Sequence, residues 1–431
     1  MNDDLKAISD SRTCLVNFEE LRDAVENCMQ EDCISVEWVA EGGANQIYSI
    51  RLPSGRDILA RLSFCYPYGT NLGVPFKHQE EYDRERLSTR ALVEIATIRF
   101  IKDNTNVPVA EIYGYDVSAY NPVGTTYTLQ ECIQGDVMSE RWFTMTLEQQ
   151  SRAITSFATH LGQILSLSFN SFGSLVHRGT ETVVDCQPPP LETLSRYYPA
   201  TESGPWPADR PLAFIEAQAI REYLWLSSSS GCQLFASWRS KMYPSEDQSK
   251  SLPAFIEFSY RLIHLVRNAC ISYPLPDQLH KPTLMHGDLH LSNVLVSEDD
   301  PGVISGIVDW DFSRIVPLWA AYDVPGMITD SPLLSEERRS DNTKLRHVFW
   351  ETLAAACPDL EPVVHPQDNV VAWNSQCLRI LKYLATEGVA LFSSCAEVKA
   401  ELSSLQEYSR VTGPDAQWAI DYISEMISLF P

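Results

Sequence analysis

The sequence predicts an α+β chain in two parts, a small antiparallel sheet with one helix followed by a larger, mostly helical region. Three observations lead there. Residues 34–64 hold three short runs with alternating apolar positions, separated by Gly- or Pro-bearing turns, which is the pattern of hairpin-linked strands. After Gly135 the apolar residues recur mainly at helical spacing. The length of 431 residues allows two or three structural units around cores of their own.

Taken in order, the first 34 residues read as helical, with Leu15, Phe18, Leu21 and Val25 on one face. Strands are expected at Ile34–Val39, Gln46–Leu52 and Asp57–Phe64. The first two are joined through Glu41-Gly42-Gly43-Ala44-Asn45, the second and third through Pro53-Ser54-Gly55-Arg56. A polar loop runs to about Tyr82. Residues 83–103 form a helix with Leu87, Ala91, Ile95 and Ile98 on one face, and strands at Glu111–Tyr115 and Thr125–Ile133 complete the unit. The domain boundary is expected at 134/135, giving a unit 1–134 and a unit 135–431. In the second unit, 147–168 is a long amphipathic helix. The stretch 177–209 reads as an irregular insertion, because Pro188-Pro189-Pro190 and Gly204-Pro205-Trp206-Pro207 cannot lie inside regular helix. Residues 225–253 read as a helix broken by a mobile loop at the serine run, and the chain is helical again from Tyr322.

Composition excludes several roles. There are 57 Asp and Glu against 33 Lys and Arg, a net charge of −24, and such a surface repels phosphate backbones and anionic lipid, so neither nucleic acid nor a membrane surface is an expected partner. No apolar run approaches the roughly 20 residues that span a bilayer, and the first ten residues lack the basic-then-apolar pattern of a secretory signal. Eleven cysteines occur without a C-x-x-C pair; they read as reduced thiols, mostly core residues, of a cytoplasmic protein.

The chemistry lies between Leu284 and Asp323. His286-Gly287-Asp288-Leu289-His290-Leu291-Ser292-Asn293 precedes an apolar strand, Val294-Leu295-Val296. A second strand, Ile304–Val308, ends in Asp309-Trp310-Asp311. Asp288 and Asn293 have the D-x-x-x-x-N spacing of a phosphotransferase catalytic loop, and Asp309 stands where a metal-binding carboxylate would enter the same cleft. Phosphoryl transfer needs a positioned base for the acceptor hydroxyl and Mg²⁺ held by hard oxygens. One carboxylate and one amide oxygen, Asp309 and Asn293, suffice as the protein's share, which leaves Asp288 as the base.

These motifs resemble the aminoglycoside phosphotransferase and choline kinase superfamily, in its fungal branch. Glu94–Ile101, Val107-Pro108-Val109 and Thr126–Gly135 match the same pattern in order. The resemblance implies a two-lobe protein-kinase-like fold, with ATP and Mg²⁺ as cofactors and a small-molecule acceptor as substrate. It assigns Asp288 as catalytic base, with Asn293 and Asp309 as metal ligands. Gly42, Gly43 and Asn45 belong to the loop over the triphosphate, Arg61 is the phosphate-binding cation oriented by Glu94, and Gln130-Glu131-Cys132-Ile133 is the hinge that reads adenine. Arg61 stands where the family often has Lys, and Lys77 is the conceivable substitute.

Among the neighbouring residues, His286 and His290 read as structural and Asp311 as either supporting the metal ligands or fixing the loop. Trp206, Trp225, Trp319 and Tyr322 read as packing residues. The expected activity is ATP- and Mg²⁺-dependent phosphorylation of a small-molecule hydroxyl. The acidic stretch from Tyr322 onward, with 16 acids against 8 bases, favours an amino sugar or amino alcohol. The alternatives are a catalytically silent nucleotide-binding module, motivated by Arg61, and another ATP-dependent transfer on the same fold, nucleotidyl transfer or ligation.

Overall fold

A computed structural model describes residues 16–42, 45–64, 79–118, 120–178, 181–185, 204–242, 248–329, 331, 333–365, 369–386, 395–411 and 417–429. Gly43, Ala44, Lys77 and residues 186–203 lie outside the described residues. Helix α1 (Phe18–Met29) starts at Asn17, whose side chain accepts from the Glu19 and Glu20 amides, with both acids facing the positive end of the helix dipole.

Strands β1 (Ser35–Glu41), β2 (Asn45–Arg51), β3 (Asp57–Ser63), β4 (Ile112–Asp116) and β5 (Tyr127–Glu131) form one antiparallel sheet in the order β1-β2-β3-β5-β4. Strand alternation then positions the site. Ile58, Ala60 and Leu62 pack with Leu21, Val25 and Ile50 in one apolar cluster. Leu59 and Arg61 therefore face the other way. On that side runs helix α2 (Gln79–Asn104), whose Leu87, Ala91, Ile95 and Ile98 are all buried.

The chain leaves the sheet through Cys132–Gly135 and enters the second part by a short strand, β6 (Asp136–Val137), and a single turn, α3 (Met138–Arg141). Helix α4 (Leu147–Ser166) opens on a capping box, the Thr146 side chain accepting from the Gln149 amide while the Gln149 side chain accepts from the Thr146 amide. Strands β7 (Ser171–Phe172) and β8 (Ser174–Arg178) follow, and the region expected to be irregular, 177–209, contains the end of β8 together with β9 (Glu181–Asp185) and β10 (Trp206–Pro207), with β8 and β9 a hairpin in continuous register. Period-2 alternation over five residues is too short to stand out beside proline-rich neighbours. Helices α5 (Ala213–Ser227), α6 (Ser229–Met242) and α7 (Gln248–Ser272) follow. The break in 225–253 falls at Ser228, whose hydroxyl donates to the Trp225 carbonyl and accepts from the Gly231 amide, ending one helix and starting the next.

Strands β11 (Pro282–Met285), β12 (Val294–Val296), β13 (Ile304–Ile307) and β14 (Arg314–Pro317) carry the loops of the site. β11 pairs with β14, and β12 pairs with both β13 and β6. Helices α8 (Glu336–Ala356), α9 (Glu361–Val364), α10 (Val370–Thr386), α11 (Cys395–Val411) and α12 (Gln417–Ser428) complete the chain. One large core, including Trp142, Trp206, Trp310 and Trp319, spans this part and takes in Ile95, Ile98 and Ile101 of α2. Among the described residues, no helix is long and apolar enough to cross a membrane.

Helix α4 lies so close to α8 that a Cβ on Gly162 would sit 2.3 Å from the Ala356 Cβ. Gly162→Val is therefore expected to force the two helices apart and cost about 1–3 kcal/mol, read as a lower urea midpoint at unchanged slope.

Candidate active site

Two loops meet where the sheet faces the helical part, residues 286–293 between β11 and β12 and residues 308–313 between β13 and β14. They are tied directly, because the Val308 amide donates to the Asn293 carbonyl (3.0 Å). Gly287 has φ +90°, and a Cβ there would meet the Phe312 carbonyl oxygen at 2.2 Å, so only glycine fits the crossing. The His286 ring is buried beneath it, 4.3 Å from the Trp310 ring. Its Nε2 donates to the Val308 carbonyl (2.9 Å) while Nδ1 accepts from the Asp288 amide (3.3 Å). Burial pulls this imidazole down to about 4, so it is neutral with the proton on Nε2. It braces the loop, as the sequence suggested.

Asp288 and Asn293 come together as their spacing implied. Asn293 Nδ2 donates to the Asp288 carbonyl (2.8 Å) and lies 3.4 Å from its Oδ2, which turns the amide oxygen away from Asp288. The Asp288 carboxylate is 42% exposed, with His290 Nε2 3.5 Å away. Asp309 has left-handed backbone (φ +67°), a conformation Asp tolerates better than most residues, and its carboxylate is a third exposed.

Behind them lies a buried charge cluster. Arg61 places Nη1 2.9 Å from Glu94 Oε1, and Nη2 donates to Asp309 Oδ1 (2.6 Å) and Asp311 Oδ2 (2.8 Å). The same Asp311 oxygen accepts from Arg90 Nη2 (2.7 Å) and Asn45 Nδ2 (2.9 Å), and Asn45 is held in turn by the Ser63 hydroxyl (2.8 Å). Burial pushes the Glu94 carboxyl well above the usual range. Arg61 opposes that push, and the neighbouring Asp311 and Asp309 add to it. Burial also acts on Asp311, but Arg61, Arg90 and Asn45 outweigh it and hold the carboxylate below its ordinary value. Of the two buried carboxyls, Glu94 is thus shifted toward its protonated form and Asp311 toward its charged form.

The remaining predicted residues divide. Gly42 closes the β1–β2 turn by donating to the Asn45 carbonyl (2.8 Å). Asn45 points its amide to Asp311, behind the site. The Glu131 amide is taken by the Glu111 carbonyl (2.9 Å), and its carboxylate accepts from the Glu111 amide (3.0 Å). The Cys132 carbonyl accepts from Gln134 Nε2 (3.1 Å). Trp206, Trp225 and Trp319 are core residues. Sequence reasoning missed Arg90, although an arginine one turn before Glu94, beside the apolar face of the same helix, is a legible signal.

Against the catalytic loop lies a cavity of about 390 Å³, its wall including Gly287, His290, Ser292, Tyr322 and Lys382. A second, of about 410 Å³, shares Tyr322, Asp323 and Lys382 and adds Arg379 and Glu401.

A profile of the phosphotransferase enzyme family matches residues 36–335, and the chain belongs to that family. Its two-lobe α+β architecture is protein-kinase-like. More particularly, it is similar to a subtelomeric hrmA-associated cluster protein of Aspergillus fumigatus, 25% identical over 67% of this chain and 60% of that protein. The chain thus spans about three-fifths of that relative's length. Altered inheritance of mitochondria protein 9 of Candida tropicalis is 22% identical over 91% of this chain and 68% of its own. Among solved structures, ADP-bound aminoglycoside phosphotransferase APH(2'')-Ib aligns over 95% of this chain and 97% of its own, with 9% identity and a TM-score of 0.44.

Removing Asp311 strands two buried guanidiniums, so Asp311→Ala is expected to cost about 3–5 kcal/mol. Asp309→Ala, a third exposed, should cost far less, and urea denaturation of both variants checks the ranking. For His286 the unfolded imidazole titrates near 6.5 and the folded one near 4. Between those values the unfolded chain binds the extra proton, so stability is full above pH 6.5 and falls as the pH drops, by up to about 3 kcal/mol from this residue. His286→Asn should flatten the stability–pH curve over that window.

Proposed function

We propose that this chain is an ATP- and Mg²⁺-dependent kinase that phosphorylates a hydroxyl of a small molecule. The observation that carries the reading is the position of Asp288. A partly exposed carboxylate, oriented by Asn293 and His286, sits in a loop whose Gly287, Leu289 and His290 line a cavity and which is bonded to the loop that carries Asp309.

The donor set fits magnesium. Carboxylate oxygens of Glu94, Asp309 and Asp311 lie within 4.8 Å of one another. Asp311 is already committed to three donors and Glu94 is buried against Arg61, so Asp309 and the Asn293 amide oxygen are the groups that would hold the ion. When bound, the ion would neutralise the charge of the triphosphate. The chain's own residues do the rest. Asp288 accepts the acceptor's proton as the oxygen–phosphorus bond forms. The bond from the γ-phosphorus to the β–γ bridging oxygen breaks, and ADP leaves with the electron pair. Arg61, pulled off Asp309 or bridging from it, supplies a planar two-donor fork to phosphate oxygens. The hinge contribution narrows to Cys132 and its neighbours, since the Glu131 amide is paired within the sheet.

The silent-module reading has one observation in its favour, the guanidinium resting on Asp309, which magnesium would have to share or displace. The seven described cysteines without a disulfide fit a reducing compartment, either the cytoplasm or, as the names of the yeast relatives suggest for those proteins, the mitochondrion.

Asp288→Asn is expected to lower ADP release at least a hundredfold while Mg·ATP still raises the melting temperature. Asp309→Ala should abolish the Mg²⁺-dependent part of that shift. A ligand at 100 times its Kd adds about 2.7 kcal/mol, so the shift is easily read. Unchanged function in Asp288→Asn would support the silent module, and AMP in place of ADP would support nucleotidyl transfer or ligation.

A further inference from the structure

Under the kinase reading above, Arg61 has to turn a donor toward the triphosphate, and its present partners define what it would let go. Nη2 is shared between Asp309 Oδ1 (2.6 Å) and Asp311 Oδ2 (2.8 Å), while Nη1 lies 2.9 Å from Glu94 Oε1. The two aspartates differ in access to solvent. The Asp309 side chain is 33% exposed and the Asp311 side chain 6%. Asp309 can therefore pass from the guanidinium to water or to a cation, whereas a buried carboxylate that loses its countercharge is very costly. Burial works against the Arg61 charge, yet its pKa is raised, and Asp311 is the largest of the opposing influences, ahead of Glu94 and Asp309. The hold that limits Arg61 is the one at Asp311.

Arg90 shares that hold. From a buried side chain its Nη2 donates to the same Asp311 oxygen (2.7 Å). Its guanidinium also lies over the Phe312 ring, 4.9 Å from the centroid, a contact that favours a cation. Arg90 stands four residues before Glu94 on α2, so one face of one helix carries both a carboxyl partner of Arg61 and the second cation for Asp311. The third donor, Asn45 Nδ2, brings no charge. Without Arg90, Arg61 would be the one cation left on Asp311 among the described residues. Turning its donors outward would then strand a buried charge.

We propose that Arg90 sets the affinity for the triphosphate, by keeping Asp311 neutralised while Arg61 moves a donor from Asp309 to a phosphate oxygen. The same movement frees the Asp309 carboxylate for magnesium. Arg90 contacts Asp311 rather than substrate, so it is a positioning residue that acts through Asp311 and Arg61.

The test compares two ligands on the full chain, Mg·ATP by isothermal titration and adenosine by saturation-transfer NMR. Adenosine carries the base and ribose without phosphate, so its affinity reports the cleft apart from the Arg61 contact. Arg90→Gln keeps a donor near Asp311 and removes the charge. It should weaken Mg·ATP about tenfold, the size of one charge-assisted contact, and leave adenosine unmoved. Arg90→Lys keeps the charge without the planar fork and should weaken Mg·ATP by about threefold. Equal weakening of both ligands would make Arg90 a brace of the cleft and nothing more. That result, or an Mg·ATP affinity untouched by Arg90→Gln, overturns the proposal. If Arg90→Gln does not fold, Arg90→Lys decides the question on the same two constants, an unmoved ratio counting against it. Absence of Mg·ATP binding in the unaltered chain would overturn the kinase reading and this proposal with it, whereas binding there with an unmoved ratio in the variants overturns this proposal alone.

Discussion

Everything at the cleft depends on one oxygen. Asp311 Oδ2 takes hydrogen bonds from Arg61 on β3, Asn45 at the start of β2 and Arg90 on α2, so a single buried carboxylate on a C-terminal-part loop joins the sheet, the helix and the site. A buried charge without partners is very costly, and one with three donors is strongly localised. The network therefore acts less as a source of net stability than as a constraint on position. Moving the sheet relative to the loop 308–313 would strand charges on both sides.

That constraint passes along the chain to the reacting groups. Asp309 is two residues from the hub, its amide neighbour Val308 is bonded to Asn293, and Val308 also accepts from His286. Asp288 is then oriented from both sides, by the ring that accepts from its amide and the amide that donates to its carbonyl. Neither loop has regular structure of its own beyond a single turn at Leu291–Asn293. Short strands at their ends, a buried neutral imidazole and a glycine crossing hold them in place. A carboxylate built this way can stay exposed to solvent while its backbone is held by the core, as the proposed role of Asp288 requires.

The strands of the sheet, α2 and the loop constellation were legible because each leaves a local signature: period-2 runs between turns, a continuous apolar helix face, and an Asp and an Asn five apart in one segment. The hub was not, since Asn45, Arg90 and Asp311 are brought together across separations of 221 and 266 residues. The family resemblance put Asn45 in the loop over the triphosphate, and the strand it opens turns its side chain inward to Asp311. The β8–β9 hairpin was hidden by the prolines that follow it.

The arginine at position 61 then has a physical account of its own. An ammonium is a compact point charge with three donors at one nitrogen, whereas the guanidinium presents Nη1 to Glu94 and Nη2 to Asp309 and Asp311 from a rigid planar fork. Arg90 fits the same logic. Asp309 and Asp311 both rest on the Arg61 fork, and Arg90 brings a second guanidinium to Asp311 from one turn before Glu94 on α2. Arg61 is therefore one member of a set with Arg90, Asn45 and Asp311, and a Lys placed there alone would leave Asp311 short of a donor. What stands where the family often has Lys is a different way of neutralising the cleft, and under the proposed function phosphate or magnesium would have to compete for the fork that rests on Asp309.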